Sequence, residues 1–231
     1  MKALKLKLFQ ETACYKKPYA FKVSETYPLP PYSTLKGMFH SILNATEFIP
    51  MKISIQGDYE TLINDYQTHY FFKKDNTKEF PLTTHGLGID YDMQDITTMP
   101  IYMHLLFNVN LIVHVQAEEN ILSELNDKIN NGNTTFLSLG RWEDLVRIDS
   151  CELVELSECK EEPILKYNAF VPIKHLDLEN YFPYNLNWKY EIINGVRVWE
   201  KIKVGYIQKN VAIENIDELY VDEDDELVFF P

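Results

Sequence analysis

Two amphipathic helical stripes, each placed between strand-like segments, constrain the fold of this chain most. Apolar residues recur at positions 35, 38, 39, 42 and 43 in the first stripe, and at 121, 122, 125 and 129 in the second. Both follow the 3.6-residue period of a helix with one buried face. Lys2–Phe9 alternates lysine with leucine, which predicts a half-buried strand. The order through residue 156 is β-α-β-β-α-β, which predicts an α+β, ferredoxin-like (RRM-like) fold with both helices on one side of a sheet.

The C-terminal third has a different character and predicts a smaller, mostly β appendage. Val196–Gln208 is strand-like, and the Asn-Gly pair within Ile192–Val196 is typical of a β-hairpin turn. We therefore predict a ferredoxin-like domain over residues 1–156 and a small β region over 157–231. Within the first domain, Thr134–Leu139 is predicted as a strand after the second helix.

The charge of the chain is unevenly distributed. A net charge of −13 argues against simple non-specific binding of nucleic acid, because phosphate contacts need clustered lysine and arginine. Residues 1–40, however, hold seven lysines and two acids, whereas residues 212–231 hold eight acids and no basic residue. A localised anionic partner for the N-terminal region fits this pattern, and so does an uneven solubilising charge without a partner.

Several function classes are disfavoured by what the sequence contains. Three cysteines without paired spacing predict a reducing, cytoplasmic setting, and the longest apolar stretch, Leu105–Val115, is too short to span a bilayer. Six scattered histidines have no metal-binding spacing. We therefore expect no metal, no cofactor and no membrane partner.

The segment Lys16–Gly37 places lysines, prolines and tyrosines ahead of the first helix. Its prolines hold the chain extended, Ser33 is the predicted N-cap, and a helix N-terminus favours an anion. Tyrosine faces suit an unpaired base, and a glycine within the helix permits close backbone approach. The candidate binding residues here are Lys17, Tyr19, Lys22, Tyr32, Ser33, Lys36, Gly37 and His40. A capped core helix with a packed preceding loop fits the same residues.

Together with Ser138–Asp144, this segment resembles a known family. Pro18–Phe21 and Tyr27–Met38 resemble the N-terminal signature of the Cas-five family, RAMP-type subunits of class 1 CRISPR complexes, and the Leu-Gly-Arg turn of Ser138–Asp144 resembles its second motif. The resemblance covers about residues 1–150 and is closest to type I-B members. It implies an antiviral Cascade subunit that binds the 5′ handle of the guide RNA, caps the backbone filament and contacts the large subunit. Contact with target DNA is left open.

The resemblance also implies further RNA contacts. A thumb pressing on the RNA at the handle–spacer junction would span about residues 73–99, with Lys73, Lys74 and His85 facing the RNA. The second motif adds Gly140, Arg141 and Trp142. Arg141 could place its guanidinium on a phosphate or base, or pair with Glu143 or Asp144 and lock the turn; the family resemblance favours RNA.

Two alternatives to a non-catalytic RNA-holding subunit remain open. Some relatives cut precursor RNA without a metal, which needs a general base near a 2′-hydroxyl; here His40, Lys36 and Tyr32 would supply the chemistry. The other alternative is a protein-interaction module without an RNA role, in which the acidic tail and the apolar end Leu227–Pro231 dock onto a basic neighbour.

Overall fold

The computed structural model describes residues 1–20, 23–72, 96–132, 136–176, 181–213 and 215–231. Within these ranges the helices are α1 (Tyr32–Leu43) and α2 (Glu119–Asn130). The strands are β1 (Lys2–Ala13), β2 (Val23–Ser24), β3 (Lys52–Asp58), β4 (Thr61–Phe72), β5 (Ile96–Gln116), β6 (Arg147–Glu155), β7 (Ser157–Glu158), β8 (Asn168–Pro172), β9 (Phe182–Ile193), β10 (Val196–Ile207), β11 (Tyr220–Val221) and β12 (Leu227–Val228). None of the described helices is long and apolar enough to cross a membrane.

Four strands form the centre of a large antiparallel sheet, in the order β6-β1-β5-β3. β1 lies between β6 and β5, and β3 pairs with the other edge of β5. Leucines of β1, the apolar stripes of both helices and isoleucines of β3 belong to one hydrophobic core. The predicted combination of two helices with a sheet is confirmed, because both stripes bury the face that their period predicts.

The residues after 157 lengthen this sheet. β8 pairs with β3, and β10 and β9 follow, so the full order is β6-β1-β5-β3-β8-β10-β9. β9 and β10 form a hairpin whose turn residues, Asn194 and Gly195, have φ of 52° and 76°. Positive φ at both positions is the geometry of a type I′ turn, which confirms the predicted hairpin turn. The division into two domains stays a prediction.

β4 and β5 form a long two-stranded arm. Their register runs through twelve residue pairs, from Thr61 opposite Phe107 to Phe72 opposite Ile96. The predicted thumb would continue from the end of this arm. Of its residues, only those from Ile96 onward lie within the described part of the chain, and they are strand rather than loop.

The C-terminal tail covers the face of the sheet opposite the helices. Val228 and Phe230 pack against Ala3, and the Phe229 N–H donates a hydrogen bond to Ser54 Oγ at 3.0 Å. As a result, Ala3 through Leu6 of β1 are all buried, and the prediction of a half-buried strand is wrong there. The prediction that the apolar end docks onto a neighbouring protein is also wrong, because that end packs against the chain's own sheet.

A buried ionic cluster lies beneath the tail. Lys5 of β1 and His114 of β5 are cross-strand partners, and Asp222 Oδ2 lies 2.5 Å from Lys5 Nζ and 3.0 Å from His114 Nε2. Asp222 Oδ1 accepts the backbone N–H groups of Asp224 and Glu226. Burial disfavours the charge on Asp222, but these bonds outweigh it and hold its pKa well below the usual range. The acidic tail is therefore fixed to the sheet by a fully paired carboxylate.

Candidate functional site

The second sequence motif lies against the end of β1, the strand that leads into the first motif. The Cys14 N–H donates a hydrogen bond to Asp144 Oδ2 at 2.9 Å. The Gln10 side-chain amide donates to the backbone carbonyls of Leu139 and Asp144, at 2.9 and 3.0 Å. These buried bonds hold the second motif against the strand from which the first motif emerges.

Gly140 and Arg141 build the turn of the second motif. Gly140 has a φ of +116°, and a Cβ there would lie 2.8 Å from Asp144 Oδ2 and 2.9 Å from the Cys14 carbonyl oxygen, so only glycine fits. Arg141 donates from Nε and Nη2 to the Asp144 carboxylate over 2.6–3.2 Å, and its Nη1 lies 2.8 Å from Glu143 Oε1. The guanidinium therefore locks the turn, and its contact with RNA stays a prediction. The expected strand Thr134–Leu139 is wrong where it is described, because this turn leaves only an isolated bridge at Ser138.

The loop that follows β1 folds back on itself. The Lys17 N–H donates to the Glu25 carbonyl at 2.8 Å, and the side chains of the two residues form an ion pair at 3.3 Å. The strand β2 within this loop pairs in parallel with Tyr102 and Met103 of β5. Near the tip, Tyr19 is 87% exposed. Lys22 lies outside the described residues.

Met103 joins these segments. It is buried against Cys14, it lies opposite Ser24 of β2, and its Sδ lies 2.8 Å from Nη1 of Arg141. We name the loop Cys14–Ala20, the turn Ser138–Asp144 and Met103 the motif junction. Its surface presents Tyr19 and Trp142, the latter 85% exposed.

The start of α1 differs from the prediction in two ways. The helix begins at Tyr32, with Pro31 as the N-cap at φ −60° and ψ 152° and no side-chain cap. Ser33 therefore lies inside the first turn, and the prediction that it caps the helix is wrong. Tyr32 is fully buried, with its ring 5.5 Å from that of Trp188. The prediction that Tyr32 offers a face for base stacking is wrong, because the core already covers its ring.

Four of the predicted residues line one cavity of about 410 Å³: Ser33, Lys36, Gly37 and His40. They lie at i, i+3, i+4 and i+7 and so share one face of α1. The opposite wall is aromatic and comes from the loop after α1 and from the β9–β10 hairpin. We name this space the α1 cavity, and its aromatic wall consists of Phe48, Trp188, Tyr190 and Trp199.

The aromatic wall was not predicted from the sequence. In the β9–β10 hairpin, Tyr190 and Trp199 are cross-strand partners, with ring centroids 5.0 Å apart. The signal that could have found this pair is the predicted Asn-Gly turn, because extending both strands back from Asn194 and Gly195 places these rings opposite each other.

Lys36 is buried in the wall of the α1 cavity and contacts aromatic rings. Its side chain is 4% exposed, and its Nζ lies 2.9 Å from the ring centroid of Trp188 and 5.5 Å from that of Phe48. In the part of the chain that the structure describes, no atom accepts a hydrogen bond from Nζ. Burial lowers the pKa of Lys36 to about 7, with Glu200 partly opposing the shift. A buried ammonium in contact with aromatic rings alone is costly, so an anion that reaches it would be bound favourably.

Comparison with known proteins assigns the family. A family model described as CRISPR-associated protein (Cas_Cas5) matches residues 3–210. The chain belongs to the Cas5 family. The resemblance drawn from the two motifs is confirmed, whereas the type I-B assignment stays a prediction. No curated protein matches the Cas5 chain by sequence.

Two solved structures are similar to the Cas5 chain. A chain of a structure described as a CRISPR RNA-guided surveillance complex is similar at a TM-score of 0.57 and 16% identity, over 91% of each chain. A crystal structure of a CRISPR protein from Archaeoglobus fulgidus has a TM-score of 0.42 and 13% identity, over 99% of this chain and 98% of that one. The first likeness shows a shared fold.

His40 of this Cas5 chain is held by both of its ring nitrogens. Nε2 accepts the Ile49 N–H at 2.9 Å, so the proton resides on Nδ1, which donates to the Lys36 carbonyl at 2.7 Å. The ring also stacks on Phe48. Both ring nitrogens of His40 are therefore engaged within the chain, and Tyr32 is buried. The ribonuclease alternative stays a prediction.

The basic N-terminal region of the Cas5 chain is largely paired with the chain's own acids. Of its six lysines within the described residues, four lie within ion-pair distance of a carboxylate: Lys2, Lys5, Lys7 and Lys17. The positive balance of residues 1–40 is therefore not an open basic surface. Three further predicted RNA contacts, Lys73, Lys74 and His85, lie outside the described residues.

Proposed function

We propose that this chain is a non-catalytic subunit of a Cascade-type CRISPR surveillance complex that binds the 5′ handle of the guide RNA and caps the backbone filament. The observation that carries the proposal is the motif junction, where the turn of the second motif is bonded to Cys14, at the start of the loop that carries part of the first motif, and to Met103. There, the exposed rings of Tyr19 and Trp142 offer faces on which unpaired bases can stack. Membership of the Cas5 family and the shared fold with a chain of an RNA-guided complex support it.

We further propose the ferredoxin-like arrangement for the central sheet. The order β6-β1-β5-β3 supports it, since this is the order 4-1-3-2 when the four core strands are numbered along the chain. Along the chain, β4 lies between the second and third core strands, β3 and β5, and pairs with β5 to form the arm. A thumb would emerge from the end of this arm. Because the tail covers one sheet face, RNA would contact loops and hairpins rather than an open sheet.

Binding of RNA should depend on the assembly. The net charge of −13 and the internal pairing of the N-terminal lysines give the isolated chain little free positive charge. We therefore expect weak, salt-sensitive binding by the chain alone and tight binding within the complex, where the backbone and large subunits add contacts.

Assembly with guide RNA tests the function. Replacing Lys17, Tyr19 and Trp142 together by alanine should lower the guide RNA retained by the purified complex about tenfold or more, since each stacked base is worth roughly 1–3 kcal/mol. The matched control replaces Phe182 and Lys201, which are exposed on the β9–β10 hairpin. Equal retention by the variant and the control would count against the proposal.

Incubation with precursor RNA in chelator tests the catalytic alternative. The subunit proposal predicts no product ending at the handle. A product that forms in chelator and disappears in the His40→Ala variant would establish a metal-independent ribonuclease instead.

A further inference from the structure

The α1 cavity has the size and lining of a small-ligand site. Its volume of about 410 Å³ lies within the range of about 300–1,000 Å³ found for ligand pockets. The wall combines aromatic rings from the hairpin with a single buried ammonium, Lys36, that contacts rings only. The other lysine of the lining, Lys189, differs, since it is only partly buried and pairs with Glu200 at 2.9 Å.

Gly37 widens the cavity beside Lys36. A Cβ at this position would meet no atom within 4 Å, so no contact within the described protein requires glycine there. Glycine inside a helix nevertheless costs about 1 kcal/mol relative to alanine. The position therefore leaves bare helix backbone facing the cavity, next to the unpaired ammonium.

We propose that the α1 cavity binds one unpaired ribonucleotide, with its phosphate at the Lys36 ammonium and its base against the aromatic wall. The first turn of α1 contributes Ser33 on the same side, where backbone N–H groups and the helix dipole also favour a phosphate. The face of Trp188 that the ammonium now covers becomes available to the base once Lys36 turns to the phosphate. Stacking on such rings accepts any of the four bases.

This inference rests on the proposed function, because the guide RNA supplies the nucleotide. An acidic side chain of a partner protein could also pair with Lys36. It would leave the ring faces of Trp188, Tyr190 and Trp199 unused, however, so the observations favour a nucleotide.

Tryptophan fluorescence of the full chain tests the proposal. The chain has three tryptophans, so Trp142→Phe leaves only those of the cavity, Trp188 and Trp199, as tryptophan fluorophores. A single-stranded RNA trinucleotide should quench this fluorescence saturably. Lys36→Met should weaken the titration at least tenfold, whereas the matched control Lys203→Met, at an exposed position of β10 outside the cavity lining, should change it less than threefold. Trp199→Leu, a second variant on the hairpin, should also weaken binding.

Three further probes separate the possible occupants. A trinucleotide with an abasic centre and inorganic phosphate should each bind at least tenfold more weakly, and so should a Glu-Gly-Glu peptide. Absence of quenching by RNA, or equal binding of the abasic or phosphate probe, would overturn the nucleotide assignment, and tighter binding of the peptide would show a protein-docking site. Equal guide RNA retention by the Lys17, Tyr19 and Trp142 variant and its control, with trinucleotide binding to the cavity intact, would reject the proposed function alone. Reduced retention in that variant, without trinucleotide binding to the cavity, would reject the cavity assignment alone.

Discussion

Two buried lysines on opposite sides of the sheet differ in one respect, the presence of an anion. Lys5 Nζ lies 2.5 Å from Asp222 and 2.7 Å from Asp224; burial opposes its charge, but these carboxylates outweigh it and raise its pKa. Lys36 is buried to a similar degree, contacts the rings of Trp188 and Phe48, and has a pKa lowered by burial to about 7.

The difference separates a structural cation from a binding cation. On the tail side, the charge of Lys5 is fully used in fixing Asp222, and with it the tail, to the sheet. On the α1 side, the charge of Lys36 has no such use within the described chain. Arg141 belongs with Lys5, since two carboxylates take up its guanidinium. A cation left without an anion in a folded protein is the one that an anionic ligand can stabilise most.

Removing the anion of Lys5 should produce the largest effect. Asp222→Asn leaves Lys5 with only the exposed Asp224, and breaking a buried pair typically costs about 3–5 kcal/mol. We expect the free energy of unfolding to fall by that amount in urea denaturation at pH 7. The neighbouring Glu223→Gln, at an exposed position, should change it by less than about 0.5 kcal/mol. A loss of under about 1 kcal/mol in Asp222→Asn would contradict the assigned role.

The acid dependence of stability checks the same carboxylate. Because folding lowers the pKa of Asp222, the unfolded chain binds more protons than the folded chain as the pH falls below about 4. The stabilisation is present above that pH and is lost as the pH falls further. The profile of unfolding free energy between pH 5 and pH 2.5 should therefore be flatter in Asp222→Asn, and equal slopes would argue against a depressed pKa.

Removing the charge of Lys36 should stabilise the protein, whereas removing the charge of Asp222 should destabilise it. Lys36→Met keeps an apolar stem against Trp188 and removes a buried ammonium, at the loss of a cation–π contact worth about 2 kcal/mol. We expect the free energy of unfolding at pH 7 to rise by about 1–2 kcal/mol, because the cost of burying the charge is larger than that contact. Destabilisation by this variant would show that the ammonium is adequately solvated by the rings.

The pH dependence of the free energy of unfolding above pH 7 gives a second test of the lowered pKa of Lys36. The folded pKa of about 7 lies below the unfolded value of about 10.4, so the unfolded chain binds more protons between these values. Stability of the parent chain should therefore rise with pH over this window, and the rise should be smaller in Lys36→Met. A rise unchanged by the substitution would place its origin in other groups.

The sequence predicted elements whose signals are local. The stripe and acidic start of the second helix predicted Glu118–Asn130, and the structure has Glu119–Asn130. The Asn-Gly pair likewise predicted the turn of the β9–β10 hairpin. In each case, the residues that determine the element lie within it.

Contacts between distant segments could not be predicted in this way. Lys5 lies in an alternating Lys/Leu strand and was expected to face solvent, but its partner Asp224 is 219 positions away in a tail whose strands are only two residues long. The spacing of apolar residues in the sequence does not reveal which face of the sheet such a tail will cover. The candidate site shows the same limit, since its α1 side was predicted, whereas Trp188 lies on β9, which was not predicted.

The smallest effect is expected at Gly37, and it sharpens the comparison on the Lys36 side. Gly37→Ala should raise the free energy of unfolding by about 0.5–1 kcal/mol through helix propensity, because the new methyl group meets no protein atom. If a nucleotide occupies the α1 cavity, the same methyl group should weaken trinucleotide binding severalfold. Ser41→Ala, at an exposed position of α1 outside the cavity lining, should stabilise slightly and leave that affinity unchanged. Equal affinities of the two variants would mean that the open space at Gly37 does not contact the ligand, and would restrict the binding site to the part of the cavity around Lys36.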